Sequence, residues 1–133
     1  MTQLPFVDTN VLLYLISADA AKAARVEPLL AGRVIVSVQV LNEFANVARR
    51  KHALPWPALT RVLADIRHFA TVRPLTLTMH ERALALAERY RFGVYDALIA
   101  AAALEAGCET LLTEDLQHGQ VLEKTLTIRN PFV

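Results

Sequence analysis

Four acidic side chains in this sequence stand where oxygen donors could do chemistry. Most of the 13 Asp and Glu residues fall on polar helix faces and need only solvation. Asp8 follows a short apolar run, Leu4 to Val7, that reads as a buried strand, and Asp115 follows a second such run in Thr113-Glu114-Asp115. Both therefore belong to the carboxyl ends of strands, the rim where open α/β sheets bind ligands. Asp96 opens a helix and shares a face with Ile99, Ala100 and Ala103, so it is directed inward. Glu43 borders the apolar face made by Val40, Phe44 and Val47.

Each acid has a simpler account when taken alone. Asp8 can cap the following helix, Asp96 can sit in a first turn favoured by the dipole, Glu43 can be solvated and Asp115 can belong to a turn. What those accounts leave out is the convergence. Two carboxylates ~4 Å apart at an effective dielectric near 20 repel by ~4 kcal/mol, and a cluster would force protonation of one or more. A hard divalent cation removes that problem. Mg²⁺ takes oxygen ligands, and Mn²⁺ suits the same set. His52, His68, His80 and His118 are scattered and offer no zinc spacing. The implied chemistry is metal-assisted attack of water on a phosphate.

The elements that must position these groups alternate between strand and helix. After the first strand, about residues 4 to 8, a helix is expected to end near Ser17-Ala18-Asp19. Asp19 caps a second helix from Ala20 to Leu30, with Pro28 bending or breaking its last turn. Val34-Ile35-Val36 reads as a strand, and Ser37 caps a helix to about Lys51. Pro55-Trp56-Pro57 starts a fourth helix. Thr71 to Leu77 is the third strand, and Thr78 with Glu81 has the spacing of a capping box for a helix to about Tyr90. The helix from Val94 to Ala106 contains Ala97 to Leu104, apolar on every side, hence it is buried on more than one side. Strands at Thr110–Thr113 and Leu126–Ile128 follow. The expectation is one three-layer α/β/α domain, residues 1–133, around a mostly parallel sheet of four to five strands.

Composition sets the remaining bounds. A chain of 133 residues with 54% hydrophobic and 20% charged residues is globular by these values. Its net charge of +1 gives no bulk attraction to a polyanion, so any such partner must meet a local patch. Cys108 is the sole cysteine, which excludes an internal disulfide. No targeting segment is seen, and the apolar run Val11 to Ile16 is too short to span a bilayer. A cytoplasmic protein is expected, with no membrane partner.

Phe6-Val7-Asp8-Thr9-Asn10-Val11-Leu12, Asn42-Glu43-Phe44, Tyr95-Asp96-Ala97-Leu98-Ile99-Ala100 and Leu112-Thr113-Glu114-Asp115-Leu116 resemble, in order, the four motifs of the PIN-domain family. The nearest resemblance is to the VapC-type toxins of toxin–antitoxin pairs. It implies a Mg²⁺- or Mn²⁺-dependent endoribonuclease, usually a homodimer, often inhibited by a cognate antitoxin. It places the catalytic and metal-binding quartet on Asp8, Glu43, Asp96 and Asp115, with Thr9, Asn10 and Thr113 as polar supports. Glu114 is an additional acid without an assigned direction, and residues 52 to 75 match nothing diagnostic.

Rival classes fare less well. A receiver domain would need a phosphorylatable Asp after the third strand, where Arg73-Pro74-Leu75-Thr76 stands. A phosphatase using Asp8 as nucleophile would want an acid at Asn10. A catalytically silent module of the same fold, binding RNA or protein, is the stronger alternative. Arg49-Arg50-Lys51 could contact phosphates, although cations at a helix C-terminus are also favoured by the dipole. Trp56 could stack on a base, with packing at the helix start as its simpler role.

Overall fold

The computed structural model describes residues 3–133. Its centre is the two-residue strand β1 (Phe6–Val7), both side chains fully buried. The chain runs through α1 (Thr9–Leu12), a 3-10 turn (Leu13–Ile16) and α2 (Ala20–Ala31) to β2 (Val34–Ser37), which pairs parallel with β1. Next come α3 (Val38–Lys51), α4 (Trp56–Phe69) and β3 (Ala70–Arg73), parallel to β2. The chain then passes through α5 (Leu77–Tyr90) and α6 (Val94–Glu105) to β4 (Thr110–Leu112), on the other side of β1. β6 (Leu126–Arg129) extends the parallel set, and β5 (Val121–Leu122) pairs with it antiparallel, giving the order β3-β2-β1-β4-β6-β5.

That order has a functional consequence. Connections move outward from β1 to β2 and β3, then reverse to β4. The reversal leaves a crevice at the carboxyl ends of β1 and β4, the topological switch point of an open sheet. Registers Phe6↔Leu111 and Val7↔Leu112 hold the two strand ends level. The Asp8 amide extends that ladder by donating to the Leu112 carbonyl at 3.0 Å.

The parallel sheet and its flanking helices match the expected class, with local corrections. The sheet has six strands rather than four to five, because Val121–Leu122 adds an edge too short for periodicity to reveal. The third strand ends at Arg73, before Pro74, whose missing N–H cannot join a ladder. Thr76, not Thr78, caps α5, accepting from the Met79 amide at 3.1 Å. The first helix is only Thr9–Leu12 before it tightens to 3-10 geometry. Helix α2 continues through Pro28, which is exposed, as is Ala24, the residue whose carbonyl loses its partner. The expected strand start near Leu4 gives way to Phe6.

Helix α6 has the expected central run that is apolar all round, and every residue from Ala97 to Ala103 is buried. It packs on α5, β2 and β4. Its alanines allow close approach to both a helix and the sheet, and this fixes its first turn, with Asp96, at the crevice. Among the described residues, no helix is long and apolar enough to cross a membrane.

Candidate functional site

Asp8 leaves β1 and becomes the N-cap of α1. Its Oδ1 accepts from the Thr9 amide at 2.7 Å. Its Oδ2 accepts from the Thr113 hydroxyl at 2.8 Å and from Asn10 Nδ2 at 3.2 Å. The cap reading and the site reading therefore coexist in one side chain. Thr113 Oγ1 also accepts from Asn10 Nδ2 and from the Asp115 amide, both at 3.1 Å. Asn10 Oδ1 accepts from the Glu114 amide at 3.2 Å. Thr113 and Asn10 thus stitch the loop after β4 to the loop after β1. Thr9, the third expected support, acts through its amide; its hydroxyl is buried without a hydrogen-bond partner.

Glu43 comes from the middle of α3 and Asp96 from the first turn of α6. Asp8, Glu43, Asp96 and Asp115 line one cavity of about 160 Å³, with Leu13, Val47 and Ile99 as its apolar wall and Asn10 and Thr9 beside Asp8. The structure therefore brings the four together. They form a gradient, from buried Asp8 through half-buried Glu43 and Asp96 to exposed Asp115.

Burial has an electrostatic cost here. It pushes the Asp8 carboxyl up to about 7, against the pull of the Thr113 and Thr9 hydrogen bonds and with a push from the charges of Asp115 and Glu43. Glu43 is raised by burial, offset by the Gln39 amide and reinforced by Asp96 and Asp115. Asp96 is raised by burial and then by Asp115. All three shifts have the sign expected of carboxylates crowded in a partly desolvated cleft.

The donor set is hard oxygen throughout and suits Mg²⁺ or Mn²⁺. Among the described residues, no three His, Cys, Asp or Glu side chains form a ready-made metal cage. Mg²⁺ does not demand one, since it keeps several waters and commonly binds through one or two carboxylates. The cleft, open to water at Asp115, fits that mode better than a fully proteinaceous cage.

Two residues escaped the sequence reading. Gln39, one turn before Glu43, is buried and donates through Nε2 to Glu43 Oε1 and to the Tyr95 carbonyl. A polar residue four positions before a candidate acid on a core-facing helix was the available signal. Tyr95, 74% exposed, stands on the cleft's rim beside Asp96. Glu114 now has a direction. It turns away from the cleft, accepting from the Tyr14 hydroxyl at 2.7 Å and pairing with Lys22 at 3.4 Å. Trp56 is exposed and lies under the Arg49 guanidinium, 4.2 Å from its ring centre.

Residues 6–123 match the PIN domain, and the chain belongs to the PIN-domain family. Its fold is similar to that of Mycobacterium tuberculosis VapC20, a sarcin-ricin loop cleaving toxin (23% identity, TM-score 0.66, covering 80% of this chain and 86% of that one). It is also similar to a chain of a toxin–antitoxin complex from Klebsiella pneumoniae (20%, TM-score 0.73, 96% and 97%). A third likeness is to a chain of Rickettsia felis VapBC2 bound to a promoter DNA fragment (18%, TM-score 0.67, 96% and 99%). At these identities the likeness is one of fold. No curated protein sequence matches the chain.

Proposed function

We propose that this PIN-domain protein is a metal-dependent endoribonuclease, residues 1–133 acting as one nuclease domain, and the toxin of a toxin–antitoxin pair. The observation that carries the reading is the gathering of Asp8, Glu43, Asp96 and Asp115, from four separate elements, around one cavity at the switch point of the sheet. Membership of the PIN family and a fold shared with a sarcin-ricin loop cleaving toxin and with a chain of a toxin–antitoxin complex support it. The same likenesses support a protein antitoxin as partner, and we infer a homodimer acting in the cytoplasm.

Bound Mg²⁺ or Mn²⁺ would make a water more acidic and stabilise charge on the phosphate. Asp8, held by three donors, offers carboxylate oxygens in a fixed orientation. Gln39 holds Glu43 toward the cleft. A carboxylate not engaged with the cation can accept the proton that the attacking water gives up. Leu13, Val47 and Ile99 exclude water from one wall and strengthen every charge interaction inside.

Purified protein is expected to cut single-stranded RNA with Mg²⁺, and to lose this with chelator and in Asp8→Asn and Asp96→Asn. Equal cutting by chelator-treated protein and by the quadruple alanine variant would mark a contaminant and end the nuclease reading. Metal-independent RNA binding with no cutting would instead support the silent-module alternative.

A further inference from the structure

We propose that a second cavity beside the acid cleft seats the nucleotide adjoining the scissile phosphate, with Lys51 as the contact to its backbone. This deepens the ribonuclease reading and rests on it. The cavity, of about 230 Å³, is lined by Tyr14, Ser17, Lys51, His52 and Glu114, and it shares Asn10, Leu13 and Val47 with the acid cleft. The two adjoin through these three residues, one lined by the four acids and the other by Lys51, His52 and Glu114.

Helix α3 sets the spacing. Glu43, Val47 and Lys51 succeed one another at four-residue steps along one row, so Lys51 lies ~12 Å from Glu43 along the axis at 1.5 Å per residue. A strand lying across the two cavities meets acids at one site and a cation at the next. Phosphates are repelled by the uncompensated acids, so Lys51 must supply the anchoring attraction.

The structure also separates the three cations that close α3. Arg49 stacks on Trp56 and donates to the Leu54 carbonyl at 2.9 Å, which assigns it to the turn. Arg50 is exposed and lines neither cavity, whereas Lys51 lines the second. Glu114 does not spoil the site for an anion, because Lys22 and the Tyr14 hydroxyl already engage it. The Tyr14 ring is fixed as well, by Lys22 on its hydroxyl at 3.0 Å and by edge contact with Phe132 at 4.9 Å between centres. A pre-positioned aromatic beside a cation is the arrangement single-stranded nucleic acid uses, base against ring and phosphate against charge.

The test is binding of a fluorescent, mixed-sequence single-stranded oligoribonucleotide to the full chain in chelator, so that cleavage plays no part. Lys51→Glu is expected to weaken binding at least ~10-fold and to lower the salt slope by ~0.7, as for one lost phosphate contact on a single strand. Lys51→Arg should bind within ~2-fold of wild type, and Arg50→Glu, the same charge change on the same helix end, within ~3-fold. Equal loss in Lys51→Glu and Arg50→Glu, loss in neither, or no binding by wild type would each overturn the subsite. Cleavage with Mg²⁺ is read separately. Lys51-dependent binding without cleavage sinks the nuclease reading and supports the binding site, whereas cleavage with unchanged KM in Lys51→Glu sinks the subsite alone.

Discussion

The crevice between β1 and β4 and the body of α6 meet at Ile99 and obey opposite rules. From Ala97 to Ala103, α6 is buried with nothing but apolar surface to bury, so burial there stabilises the fold. At the crevice, burial raises the Asp8, Glu43 and Asp96 carboxyls above their ordinary range, and their ionisation costs stability. The same desolvation is favourable in one place and unfavourable in the other. Asp96 lies at the boundary, presented to the cleft by a helix whose remaining length is committed to the core.

The largest expected effect is on chemistry. Asp8→Asn or Asp96→Asn should lower RNA cleavage by a factor on the order of 10³ or more, the range seen when a group acting in the transition state is removed. Single-turnover rates with Mg²⁺ measure this. Wild-type rates in both variants would show that the crevice's charge serves no reaction.

On the apolar side, Phe6→Ala should cost about 3–5 kcal/mol, because a fully buried ring at the centre of the sheet is replaced by a void. Urea unfolding without metal checks it; a loss below about 1 kcal/mol would contradict the packing described.

The contrast sharpens with pH. The Asp8 carboxyl titrates near 7 in the fold against 3.8 unperturbed, so the folded state prefers the protonated form. The penalty is absent below about pH 4, grows as pH rises and is complete above about 7. Asp8→Asn should therefore stabilise the metal-free protein above pH 7 by about 1–2 kcal/mol. That is less than the full shift at ~1.36 kcal/mol per unit, since an amide cannot accept all three hydrogen bonds. Thermal melts at about pH 8 and pH 4 should show the gain at the former only. Adding Mg²⁺ at the higher pH should raise the wild-type Tm and leave Asp8→Asn nearly unmoved.

The smallest effect is expected of Gln39→Leu, which frees Glu43 to rotate. Cleavage should fall by about 3- to 10-fold with stability changed by less than about 1 kcal/mol, because an unpartnered buried carbonyl oxygen is removed as well.

How much of this was legible beforehand follows from what each residue does. The strand ends bearing Asp8 and Asp115 showed as short apolar runs that stop at an acid, because a strand buried on both faces leaves that signature. Asp96 is visible as a charge that directly precedes the wholly apolar run Ala97 to Leu104. β5 is not, since two residues carry no period. The start of α5 is ambiguous in the sequence because Thr76 and Thr78 offer the same hydroxyl two residues apart, and only Pro74 and the end of β3 decide between them. Gln39 acts through tertiary contacts to Glu43 and Tyr95, and the directions of Glu114 and Arg49 depend on Lys22, Tyr14 and Trp56, none of which local pattern can supply.

The hydrogen bond from Thr113 to Asp8 joins residues 105 positions apart. A polypeptide emerging from the ribosome therefore owns its first carboxylate long before the last of the four exists. Until the segment around Asp115 has been synthesised and has docked beside β1, the growing chain lacks the complete cleft, so whatever the four acids do together waits for nearly the whole chain.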